Sequence, residues 1–132
     1  MNGDMLLEKS GIFEKYLNTI KKEIDSKFPW YPYGRLNNFI HLKAMFNKRP
    51  LDSLAAINSK ILDIGAADGD LSFFLESLGY QLSVIDNGPT NTNNLKAIKL
   101  IKERIKSKVG IDEIDIDSQF KNPNEKYDLV FF

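Results

Sequence analysis

Residues Ile61 to Gly69, reading Ile-Leu-Asp-Ile-Gly-Ala-Ala-Asp-Gly, constrain this chain more than any other stretch. A continuous apolar run, of the kind that forms a strand buried on both faces of a parallel sheet, enters a bend of small residues. It leaves as an amphipathic helix, Leu71 to Leu78, and Gly79 stops that helix. About twenty residues past the bend, Leu82-Ser83-Val84-Ile85-Asp86 gives a second apolar strand that ends on a carboxylate. Strand, bend, helix and acid-tipped strand in this order specify a doubly wound α/β sheet. Its ligand crevice lies at the carboxyl ends of the strands.

The rest of the chain arranges itself around that unit. Ile12, Phe13, Tyr16, Leu17, Ile20 and Ile24 recur at helical spacing, which predicts an amphipathic helix over Gly11 to Lys27. Phe28-Pro29-Trp30-Tyr31-Pro32-Tyr33-Gly34 breaks it, because two prolines and a glycine cannot continue a helix. A second helix is expected over Arg35 to Phe46 and a short third over Leu51 to Ile57. Strands are then expected at Lys60 to Ile64, Gln81 to Ile85, Glu113 to Asp117 and Tyr127 to Phe132. A long helix from Asn93 to Lys108 and a turn at Asn122 to Glu125 complete the order. The expected fold class is α/β: a Rossmann-like parallel sheet of four strands (59–132) preceded by an α-helical extension (1–58). In a doubly wound order further strands cover the outer edge of the fourth. A bare apolar edge at Leu129-Val130-Phe131-Phe132 invites association. The expectation is therefore an amino-terminal piece of a longer protein, or a half-sheet that a partner completes.

Composition removes several function classes. At 132 residues the chain is one domain or part of one. Eighteen basic and eighteen acidic residues cancel, so no global field draws the chain to nucleic acid or to an anionic membrane. The absence of cysteine excludes disulfides, thiolate nucleophiles and zinc–thiolate sites. No metal site is expected. Neither a signal-like start nor a span-length apolar run is visible, and a cytoplasmic location with no membrane partner is expected.

The bend selects its ligand by what it lacks. Gly65 permits a sharp exit from the strand, Ala66 and Ala67 allow close approach to the backbone, and Gly69 opens the helix. Backbone N–H groups at such a turn suit a carboxylate or a phosphate. A dinucleotide fingerprint wants a glycine where Ala67 stands and a small residue where Asp70 stands. Asp70 near a pyrophosphate is repulsive, and this disfavours a nicotinamide oxidoreductase. A phosphate-binding loop is excluded because no Gly-Lys-Ser/Thr follows. Asp63, at the strand end beneath the bend, repels phosphate and attracts a cation. S-adenosylmethionine matches this mixture: a carboxylate for the bend, an ammonium and a sulfonium for Asp63, and a ribose diol for Asp86 with Asn87 beside it. Asp117, with Ser118 next to it, is expected to end the third strand and accept from the adenine amino group.

The stretch from Leu62 to Glu76 resembles motif I of class I S-adenosylmethionine-dependent methyltransferases. Val84-Ile85-Asp86 resembles their post-I acidic strand end, and Tyr127 to Phe132 their fourth strand. Trp30-Tyr31-Pro32-Tyr33 followed by Leu36-Asn37-Asn38 is similar to the subgroup related to tRNA wobble-uridine modifying methyltransferases. The resemblance spans roughly residues 28 to 132. It implies methyl transfer to a small molecule or a tRNA base. It names no catalytic residue, and the acceptor loop that follows the fourth strand in the family lies beyond Phe132. Ala67 departs from the family's middle glycine but remains small.

Plainer readings stand beside these. The bend could be a strand–helix turn without a ligand, in a binding or interaction module. Asp117 sits in an acidic patch with Asp112, Glu113 and Asp115, which also reads as a solvated face. Packing is the first reading of Trp30, Tyr31 and Tyr33, and a surface or packing role that of His41. Lys96, Lys99, Lys102, Arg104, Lys106 and Lys108 read first as the wet side of a helix.

Overall fold

The computed structural model describes residues 1–32, 35–115, 117 and 126–132. Among the described residues four parallel strands form one sheet in the order β3-β2-β1-β4, with β1 Lys60–Ile64, β2 Gln81–Asp86, β3 Gly110–Glu113 and β4 Leu129–Phe131. Ile61 pairs with Leu82 on one side and with Leu129 on the other. The chain runs outward from β1 through β2 to β3, then returns to the opposite flank of β1. Strand order therefore reverses at β1, and the crevice belongs at the carboxyl ends around it. This is the Rossmann-like α/β arrangement read from the sequence.

Five α-helices among the described residues accompany the sheet: α1 Gly3–Asp25, α2 Phe39–Lys48, α3 Leu51–Leu54, α4 Asp70–Ser77 and α5 Lys96–Ile105. Helix α1 starts well before the expected Gly11, because the Asn2 side chain accepts from the Met5 N–H and caps it. A 3-10 turn at Arg35–Asn38 leads into α2, so that helix begins later than its periodicity predicts. Helix α3 is a single turn and ends before the expected Ile57.

Helix α5 is shorter than expected at both ends. Asn94 and Leu95 take left-handed backbone angles (φ 56° and 65°) ahead of it, and Lys106 (φ 55°) ends it. The third strand lies earlier than Glu113 to Asp117. The alternation of apolar and acidic residues there imitates a strand, but β2 ends at Asp86, which pairs with Glu113, and the Ile114 N–H, donating to the Asp86 carbonyl, makes the last bond to β2 among the described residues.

One apolar core joins the helical extension to the sheet. Leu6 and Leu17 of α1, Phe39 and Phe46 of α2, and Phe73, Phe74 and Leu75 of α4 share it with Ile61, Val84 and Ile98. Phe13 of α1 meets Phe74 of α4 with ring centroids 5.6 Å apart. Phe73, outside the stripe read from the sequence, is buried as well, because the layer outside α4 covers that face. Among the described residues no helix is long and apolar enough to cross a membrane.

Candidate cofactor-binding site

The bend after β1 alternates in hand. Gly65 (φ 73°), Ala67 (φ 55°) and Gly69 (φ 84°) are left-handed, so the chain reverses over five residues before α4 begins. Left-handed angles cost an L-residue about 1–2 kcal/mol, and the two glycines escape that penalty. Ala67 takes the strain and its N–H finds compensation, donating to Oδ2 of Asp86 at 3.2 Å. The carboxylate that ends β2 is thereby fastened to the bend that ends β1.

Asp86 is further oriented by the Asn87 N–H, 2.8 Å from Oδ1, and by the Asn91 side-chain amide, 3.0 Å from Oδ2. These bonds use three of the roughly four acceptor positions of a carboxylate, so Oδ1 keeps room for one hydroxyl donor. At Gly65 an added Cβ would meet nothing within 4 Å. Other amides of the bend serve the protein itself: the Gly65 N–H donates to Ile85 O, and the Gly69 N–H to Ala66 O. An anionic ligand group has fewer donors here than the sequence implies.

Asp63 has no exposed surface and accepts from the Ser72 hydroxyl at 2.8 Å. It clamps α4 to β1 from the interior, and direct ligand contact would require the bend to open. Gly65, Ala66, Ala67, Gly69, Asp86 and Asn87 thus come together at the carboxyl ends of β1 and β2, with Asp63 directly beneath. Asp117 does not sit at a strand end. It is exposed, beyond Glu113, and its N–H bonds back to Asp115. Ser118, Tyr33 and the turn expected at 122–125 lie outside the described residues.

A second layer of polar residues escaped the sequence reading. Asn91 accepts from the N–H groups of Asn93 and Leu95, each at 3.1 Å, while its amide holds Asp86. The signal was the general preference for Asn ahead of a helix, but a run of neighbouring asparagines hides which one caps. Asp68 is buried and accepts from the Tyr31 N–H at 2.7 Å and from the Asn93 amide at 3.0 Å. The Tyr31 hydroxyl accepts from the Thr92 N–H at 3.2 Å. Trp30 packs against Phe28 at a tilt of 50° (centroids 4.6 Å apart) and donates to the Asp25 carbonyl. Residues 28–32 therefore strap the bend to the loop after β2. Lys21 of α1 reaches the same place, 3.1 Å from Asp70 and 3.7 Å from Asp68.

Cavities open at both ends of the sheet. One of about 400 Å³ opens at the carboxyl end of β4, where Phe39, Leu42, Leu71, Phe131 and Phe132 line it and exposed His41 stands at its rim. Another, of about 610 Å³, lies at the amino ends of β1 and β2 beside Lys60, Gln81 and Gly110. Ligands of open parallel sheets bind at the carboxyl ends, which sets the second cavity aside. Among the described residues no cluster of three or more His, Asp or Glu is arranged to hold a metal ion.

A Rossmann-like parallel sheet, with a small-residue bend at its switch point and a tethered acid at the next strand end, defines the class of the methyltransferase fold. The family described as "TehB: Tellurite resistance protein TehB" matches residues 39–132, and the chain belongs to that family, one of S-adenosylmethionine-dependent methyltransferases. No curated protein matches the chain.

Proposed function

We propose that this chain binds S-adenosylmethionine in the crevice between the bend and Asp86 and serves methyl transfer to an acceptor held on the β4 side. The observation that carries the reading is the Ala67–Asp86 hydrogen bond. It fixes a carboxylate with residual acceptor capacity at the end of β2, which suits a ribose hydroxyl. Four carboxylates (Asp63, Asp68, Asp70 and Asp86) surround the bend, and Lys21 lies against two of them. Carboxylates so placed disfavour a phosphate beside them. When bound, the cofactor supplies a methyl group on a sulfonium that is already a good leaving group. The protein's share is alignment and exclusion of water: Asp86 orients the sugar, Gly65 and Ala66 allow close approach, and the strap at residues 28–32 shields one side. No general base is assigned.

The apolar cavity beside Phe131 supports a small acceptor. The family's name makes tellurite one compound to try, with a tRNA base as the alternative. Two cations of the α5 face are paired, Lys99 with Glu113 and Arg104 with Glu23, which gives little support to nucleic acid. Asp86→Ala removes a charged acceptor worth roughly 1.5–3 kcal/mol. Titration calorimetry with S-adenosylhomocysteine is expected to show affinity weakened about ten- to a hundredfold. Unchanged affinity rejects the site.

A second reading, a half-site that a partner completes, is favoured by β4. Its outer side has no strand partner among the described residues, and Val130 is exposed. Light scattering on the eluted chain tests it, and a monomer at all concentrations rejects it.

A further inference from the structure

Helix α1 leaves part of its apolar surface outside the core. Leu6 and Leu17 are sealed, yet Ile12 and Tyr16, which helical spacing groups with Phe13 and Leu17, are 65% and 45% exposed, and Met5 is 47% exposed. Met5, Ile12 and Tyr16 stand at i, i+7 and i+11, so they form one stripe along about 17 Å of helix. Beside Ile12 and Tyr16 the stripe opens into a groove of about 390 Å³ against α4, with Phe13, Phe74 and Leu78 in its lining. Isolated exposed apolar residues are ordinary, but a row of three beside an apolar groove marks a contact surface.

The charges on this face point to the occupant. Toward its ends α1 pairs its charges within the chain, Asp4 with Lys43 and Glu23 with Arg104. Glu8, Lys9 and Lys15 flank the stripe, are exposed, and make no ion pair among the described residues. At about 100° per residue, Glu8 and Lys15 lie on one flank of Ile12, and Lys9 and Tyr16 on the other. A second α1, antiparallel about a twofold axis between the two Ile12 side chains, sets each Glu8 against the other copy's Lys15. On the opposite flank it sets each Lys9 beside the other copy's Tyr16 ring. A parallel pair gives Lys15 no carboxylate. We propose that the Met5–Tyr16 face of α1 is the surface on which two copies of this chain associate, antiparallel and face to face. Neither the cofactor crevice nor the β4 edge takes part. A contact of this length is small, and a dissociation constant on the order of micromolar is expected.

Sedimentation equilibrium of the whole chain at low salt, over about 1–200 µM, is expected to show reversible dimers. Ile12→Glu sets two carboxylates together at the axis and is expected to weaken association more than about tenfold. Its circular dichroism should match that of the parent, because Ile12 lies outside the core. Glu8→Lys and Lys15→Glu each replace two attractions with two repulsions and are each expected to weaken association about tenfold. An equimolar mixture of these two variants restores both ion pairs in the heterodimer and is expected to recover the parent's dimerisation. Val130→Lys, at the β4 edge, is expected to leave the dimer intact. A chain that is monomeric throughout, a dimer unaffected by Ile12→Glu, or no recovery on mixing overturns the proposal. A dimer lost in Val130→Lys and kept in Ile12→Glu overturns it in favour of β4.

Discussion

Ser72 donates a 2.8 Å hydrogen bond to Oδ2 of Asp63, with neither residue exposed, and this bond fastens the first turn of α4 to the strand before it. Two residues that the sequence separates by a bend become one rigid joint. Ser72→Ala removes a buried donor to a carboxylate and is expected to destabilise the fold by about 2 kcal/mol. Urea unfolding should show a lower midpoint with an unchanged slope. A loss below about 0.5 kcal/mol would mean that the joint is held by other contacts.

The two glycines of the bend differ in what a methyl group would meet. At Gly65 it meets nothing, so Gly65→Ala is expected to cost only the left-handed backbone, about 1–2 kcal/mol. At Gly69 it lies 2.7 Å from Ile98 Cδ1 and 2.8 Å from Phe73 Cε2, and both side chains are buried. Gly69→Ala adds overpacking of about 1–3 kcal/mol. Thermal unfolding should rank Gly69→Ala well below Gly65→Ala; the reverse order contradicts the geometry.

Asn91 joins the turn that leads into α5 to the orientation of Asp86. Asn91→Ala is expected to lose about 1–3 kcal/mol through unmade hydrogen bonds. Asn91→Asp keeps the cap acceptor but sets a second carboxylate against Asp86, where the amide nitrogen now stands 3.0 Å away. The like charges raise the introduced acid's pKa in the folded state, so its contribution falls as pH rises through that value. Its stability deficit should grow from about pH 4 to pH 7, while that of Asn91→Ala stays level.

Burial, with a smaller push from Asp52, holds the Tyr80 phenol above its ordinary pKa, and its hydroxyl donates to the Ala55 carbonyl at 3.1 Å. The folded chain therefore keeps a proton that the unfolded chain gives up. The contribution is complete below about pH 10 and is lost as pH climbs through the raised value. Tyr80→Phe is expected to lower stability by about 1 kcal/mol at neutral pH and to flatten the alkaline decline. An alkaline slope identical to that of the parent chain excludes Tyr80 as its source.

Legibility followed the range of the interactions. Strand β1 was readable to the residue, because Ile61, Leu62 and Ile64 leave a compact apolar mark between Lys60 and the glycine of the bend. The small residues of the bend and the acid at Asp86 were equally plain, since backbone reversal and strand ends leave local marks. The third strand was misplaced because period-two alternation from Glu113 to Asp117 satisfies the local rule, while the pairing limit is set by the end of β2. Asp117 moved away from the strand end with it. Lys21 left no local mark, since Asp70, the nearer in space of its two acids, stands 49 positions away.

By itself the sequence determined the element types, the parallel α/β class and the left-handed small-residue bend, because these follow from near-neighbour sterics and from which faces are apolar. Tertiary structure alone decided which acids are sealed, which are tethered and which is neutralised: Asp63 under Ser72, Asp86 on Ala67, Asp70 against Lys21. Identical carboxylates differ only in the dielectric and the donors around them, and distant parts of the chain supply both.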